Sequence, residues 1–276
     1  MGRRLAWLLR RLVRELWPPL LLLGLWQVWV ATAGYSSIVL VSPVAVFSDL
    51  VRFPGAYLAP LVQTAMFALG GLLLGMLAGV VLAVAVSMSE LLDGLLTPFA
   101  LLLTSTPVVC LIPILARLFG YKSRTELVTV AILTFFPAFI YGTAGLRDLP
   151  PMSPEVFAVL SSTRWQRLWQ LAMPAAVPSL AVALRVGATY SVLVALLAEY
   201  LMQTGGLGTL FAITMQQFHL ARALGASVLA MALSVLLYEA GRSLERRVDQ
   251  RYRTGGMLGS SVSPPSSTSA PASLRR

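Results

Sequence analysis

Four tracts of this sequence contain no Asp, Glu, Lys or Arg: residues 16–48, 53–89, 94–116 and 127–146. A helix crossing the hydrocarbon core of a bilayer needs about 20 mainly apolar residues, and each tract is long enough for one. Composition agrees. Hydrophobic residues make up 57% of the chain and charged residues 12%, against about 25% charged in an ordinary soluble domain. Barrel strands would read as short alternating segments, whereas these runs are continuous. The expected fold is therefore all-α: a polytopic membrane protein with six transmembrane helices. Four fall at about 16–33, 60–87, 95–117 and 126–146. Two more fall at about 179–201, carrying Arg185, and 223–241. Residues 1–15 form an N-terminal segment, 16–253 the membrane domain and 254–276 a Gly/Ser/Pro-rich tail expected to be disordered.

An even number of spans leaves both ends on one side. Under that topology 16 of the 21 Lys and Arg residues lie with the two ends and the 147–185 region, and five lie opposite. The excess marks the cytoplasmic face. The expected location is a bacterial cytoplasmic membrane, with both termini inside. Ala31-Thr32-Ala33 after a basic, apolar start resembles a signal-peptide cleavage site. Cleavage would leave one arginine-rich end outside, against the charge rule, so the first span is expected to stay.

The net charge of +10 does not point to nucleic acid, because the arginines cluster at the chain ends without the aromatic interleaving that stacks bases. One cysteine (Cys110) and one histidine (His219) exclude a disulfide framework and argue against a zinc site. No nucleophile–base constellation and no phosphate-cradling Gly-x4-Gly-Lys loop exist. Catalysis, metal and cofactor are therefore not expected in this chain.

Gly71, Gly75 and Gly79, followed by Ala83, share one face of the second span. Small residues at that spacing let another helix approach closely.

The polar break between the fourth and fifth spans carries the most information. Pro150-Pro151 end one helix. Ser153, Pro154 and Glu155 suit the start of another over about 154–160. A second short helix over about 163–172 places Trp165, Leu168, Trp169 and Ala172 on one face, and Pro174 and Pro178 are expected to stop it. The product is a helix–turn–helix element on the cytoplasmic surface. It could be an interfacial anchor among lipid headgroups or a knob fitting a groove on a cytoplasmic partner.

The run from Glu155-Val156-Phe157 through Ser161, Arg164-Trp165 and Met173-Pro174 resembles the EAA loop of ABC-importer permeases. The spacing from Glu155 to position 161 and to Pro174 follows that signature. Val156 and Phe157 replace its alanines, and Ser161 replaces its glycine, which would turn left-handed more easily. Ser42-Pro43, Thr106-Pro107, Leu111-Ile112-Pro113, Phe135-Phe136-Pro137, Ala198-Glu199 and Gly206-Leu207-Gly208 look like the sulfonate/taurine/nitrate branch of the same family. The resemblance spans roughly residues 36–253. It implies a coupling helix that docks on an ATPase subunit, through Glu155, Val156, Phe157, Ser161, Arg164, Trp165 and Pro174. It also implies a paired permease, two ATP-binding subunits and an extracytoplasmic binding protein that delivers a small solute.

Proline in a membrane helix frees carbonyls and is tolerated where the helix lines a cavity. Pro107 and Pro113 therefore point to the third span as a wall of the pathway. Thr104, Ser105, Thr106, Glu199, Met202 and Gln203 are the candidate lining residues, with Glu199 divided between that role and marking the outer interface. Arg185 is expected to snorkel outward, and Glu239 to pair with Arg242. Two rival classes predict other features. A secondary transporter would show an inverted repeat and mid-membrane carboxylates; a membrane enzyme would show clustered titratable groups.

Overall fold

The computed structural model of the chain describes residues 2–34, 40–104, 107–149 and 163–256. Among them the only regular secondary structure is helix. In chain order, α1 is Gly2–Ala33, α2 Pro43–Arg52, α3 Pro54–Met88, α4 Glu90–Thr104 and α5 Val108–Phe119. Then come α6 Ser123–Arg147, α7 Arg164–Met202, α8 Gly206–Gln216 and α9 Leu220–Gly256.

Four helices are long and apolar enough to cross a membrane: α3, α6, α7 and the Leu220–Tyr252 part of α9. Trp17–Ala33 and Val109–Phe119 are apolar but shorter. The expected 95–117 span is two helices, because the chain leaves α4 at Thr104 and begins α5 after Pro107. Proline has no N–H to donate, and its ring collides with the carbonyl four residues back.

The core of the bundle is the α3–α6–α7 packing. Gly71, Gly75 and Gly79 press their bare backbone on α6. A Cβ at these positions would run into Val130, Thr134 or Ala138, and into the backbone of Ala131 and Phe135. The Thr134 hydroxyl donates to the Gly71 carbonyl at 3.0 Å across this seam. Ala68, Val130, Leu133, Val192, Val194 and Ala195 fill the space between the three helices. On its far side α3 exposes Leu73, Leu77 and Val81, each about two-thirds open. Only an apolar solvent stabilises such a face, which is the signature of a lipid-facing helix.

Helix α7 departs from expectation. Its start is as read: Thr163 caps it, accepting from the Gln166 N–H at 3.2 Å, while the Gln166 side chain accepts from the Thr163 N–H at 2.9 Å. This capping box stabilises a helix start by about 1 kcal/mol. The helix then does not stop at Pro174 or Pro178. It widens into one π turn over Leu168–Ala172, where the Met173 N–H reaches back to the Leu168 carbonyl, and continues to Met202. The inserted residue lets Pro174 enter as a first-turn residue of the following α segment, where its missing N–H costs little. The four residues expected on one face also divide. Leu168 and Ala172 are buried beside Ala83, Val86, Phe139, Leu146 and Ala176, while Trp165 and Trp169 point outward as an edge-to-face pair with centroids 5.7 Å apart.

Arg185 does not simply snorkel. Its Nε lies 2.5 Å from a Glu245 carboxylate oxygen, and its guanidinium sits 5.8 Å from the Tyr238 ring centre, tying α7 to α9. Arg242 pairs with Glu239 at 3.1 Å, as the spacing predicted.

Candidate functional site

The polar residues of the interior converge where α7 ends. Glu199 sits one turn before the end of α7 and is fully buried. Past Met202 the chain turns sharply. Gln203 is left-handed at φ 52°, and Gly205 and Gly206 follow at φ 111° and 79° before α8 begins. This turn folds back over the Glu199 side chain. A Cβ at Gly206 would overlap the Glu199 carboxylate, and one at Gly208 would overlap the Leu196 carbonyl. At position 206 only glycine fits both the backbone conformation and the space, and at position 208 the space alone demands it.

The carboxylate is held at both oxygens. The Gly208 N–H donates to Oε2 at 2.8 Å. The Thr64 hydroxyl, from α3, donates to Oε1 at 2.7 Å. That same hydroxyl accepts the Leu207 N–H at 2.9 Å. The Thr209 hydroxyl donates to the Glu199 carbonyl and accepts the Gly205 N–H, and Gln63 on α3 donates to the Thr204 carbonyl at 3.0 Å. One carboxylate thus staples α3, α7 and α8. Glu126, near the start of α6, is also fully buried and accepts the Thr204 hydroxyl at 2.8 Å.

A second polar cluster lies on the α2–α3 corner. Arg222 at the start of α9 reaches Asp49 at 3.3 Å and stacks 5.0 Å above Phe53; the Tyr57 hydroxyl donates to the same Asp49. Among the described residues no group of His, Cys, Asp and Glu could hold a metal ion.

The expected site residues fare differently. Glu199 and Met202 are buried inside the bundle, and Gln203 is exposed. Thr104 closes α4, while Ser105 and Thr106 lie outside the described residues. Of the coupling residues, Arg164, Trp165 and Pro174 are exposed along the first turns of α7. Glu155, Val156, Phe157 and Ser161 lie outside the described residues, as does the 154–160 helix. Thr64, Glu126, Thr204 and the Asp49–Tyr57–Arg222 set were not singled out in the sequence. Glu126 was visible only as the charge that bounds a tract, and Thr64 as one hydroxyl in an apolar run.

Comparison with known proteins decides the family. The profile of the binding-protein-dependent transport system inner membrane component matches residues 71–254. The chain belongs to this family. This permease resembles the riboflavin transport system permease protein RibX of Chloroflexus aurantiacus, at 28% identity over 249 residues, 86% of this chain and 92% of RibX. It is 27% identical over 175 residues to the taurine transport system permease protein TauC of Escherichia coli, 62% of each chain. The crystal structure of an amino acid ABC transporter with histidines superposes with a TM-score of 0.59 at 17% identity, covering 74% of this chain and 98% of that one. The permease is thus the membrane component of an ABC importer of small solutes, a transport subunit rather than an enzyme.

Proposed function

We propose that this permease crosses the membrane six times with both termini in the cytoplasm, adding α1 and the broken α4–α5 segment to the four long helices. It works as a pair, identical or not, with two cytoplasmic ATP-binding subunits and a soluble binding protein on the outer face. The cargo is a small solute of the sulfonate, taurine, nitrate or vitamin-precursor class. Residues 150–178 form the coupling element, with Glu155, Val156, Phe157, Ser161, Arg164, Trp165 and Pro174 facing the ATPase. Thr104, Ser105, Thr106 and Gln203 border the pathway, and Glu199 and Met202 support it from behind.

The observation that carries this reading is the continuity of α7. The helix runs 39 residues, Arg164–Met202, from the coupling element to the Glu199 turn. At 1.5 Å per residue that is about 58 Å, enough to span the bilayer as one rod. A push on the ATPase end moves the far end as a rigid body. ATP then favours one state through contacts made only in that state, which is the only way a ligand shifts an equilibrium.

Purification in mild detergent tests the assembly. Recovery of a nucleotide-hydrolysing subunit with the chain supports the reading. Solute flux by this chain alone in liposomes would overturn it.

A further inference from the structure

We propose that Glu126 and Glu199 share one proton, and that this proton is the clasp that closes the turn between α7 and α8. Both carboxyl groups are fully buried. They face one another across the same turn, Glu126 accepting from the Thr204 hydroxyl and Glu199 from the Gly208 N–H. Glu199 already accepts Thr64 and Gly208 on its two oxygens, so it is the acceptor of the pair. Glu126 Oε2 accepts Thr204, but Oε1 is buried without any donor. Its neighbour is another carboxyl, and two carboxylates make a bond only when a proton lies between them. Two bare negative charges in contact, out of water, would repel strongly.

Among the described residues the surroundings supply no cation instead. From α3 come Gln63 and Thr64, from α8 Thr209, and from α5 the apolar Ile112 and Ala116 of the neighbouring cluster. Lys122 and Arg124, beside Glu126 in sequence, are exposed. Arg222, at the start of α9, is committed to Asp49 and Phe53. The proton therefore resides on Glu126 Oε1 and points at Glu199. Losing it drives the two carboxylates apart and loosens Thr204 and the glycine turn, where α3, α6, α7 and α8 meet. This site would make opening of that end of the bundle sensitive to pH. The inference stands on the packing within one chain and is independent of the transport reading.

The test is infrared spectroscopy of the purified full chain in lipid nanodiscs, in which a protonated carboxyl has a C=O stretch separate from that of a carboxylate. At neutral pH the wild type should show this band, shifted in D2O, and Glu126→Gln should lack it. Glutamine mimics the protonated acid, so the variant should stay folded, with a thermal midpoint that no longer varies with alkaline pH as the wild type's does. No band difference between wild type and Glu126→Gln would overturn the proposal. So would a band that appears only when Na+ and K+ are removed, because a metal cation would then be the natural occupant.

Discussion

At the residue scale, Thr64 is the most heavily used hydroxyl among the described residues. One hydroxyl donates to Glu199 and accepts from Leu207, joining α3 to α7 and α8. Thr64→Val keeps the shape and removes both bonds. A buried group left without a partner costs about 1–3 kcal/mol, and this change strands the Leu207 N–H and one carboxylate oxygen. The thermal midpoint of the purified permease should fall by several degrees, and Thr64→Ser should recover most of it. Gly208→Ala should be worse than Thr64→Val, because its new methyl would meet backbone, at the Leu196 carbonyl, which cannot step aside. An unchanged midpoint for Gly208→Ala would mean that the turn is looser than described.

At the scale of elements, α7 owes its direction to one π turn. A residue advances an α-helix by about 100°, and the extra residue among 168–172 sets how the Trp165–Trp169 edge faces relative to the membrane part of the helix. Deleting exposed Gln170 should restore plain α geometry and leave Leu168 and Ala172 three residues apart instead of four. Leu168 and Ala172 would then lose register with Ala83, Val86 and Phe139. We expect normal insertion and solute-independent folding, with uptake lost and ATP hydrolysis no longer stimulated by the loaded binding protein. Full uptake by the deletion variant would show that the orientation of this edge does not matter. The α3–α6 seam gives a contrasting pair. Gly75→Val should prevent folding, since its side chain would enter the space of Thr134 and the Ala131 carbonyl. Leu73→Val, on the exposed side, should change the thermal midpoint little.

At the scale of the whole molecule, two matters follow from the charge pattern. Cys110 is the single cysteine and is exposed, so Cys110→Ser supplies a background free of thiols. Cysteines introduced at Arg3 and Arg251 should both react with a membrane-permeant reagent and resist an impermeant one added outside intact cells. Labelling of one end from outside would leave an odd number of crossings. The second matter is coupling. Glu155→Arg should abolish uptake with insertion intact, and wild-type uptake by that variant would remove the coupling role.

The sequence alone determined the solvent of this chain. Long charge-free tracts suit only lipid, and glycines four apart fix which face of α3 meets a neighbour. Those properties depend on composition and on a 3.6-residue period, so they are legible without contacts. Tertiary structure decided what depends on distance along the chain. The partners of the Glu199 carboxylate come from residues 64 and 208, and no local pattern links a threonine in one apolar run to a carboxylate 135 residues later. The same reason explains Pro174. Read locally, a proline ends a helix; in the folded chain, burial of Leu168 and Ala172 against α3 and α6 holds the helix together across a widened turn, and packing outweighs the local preference.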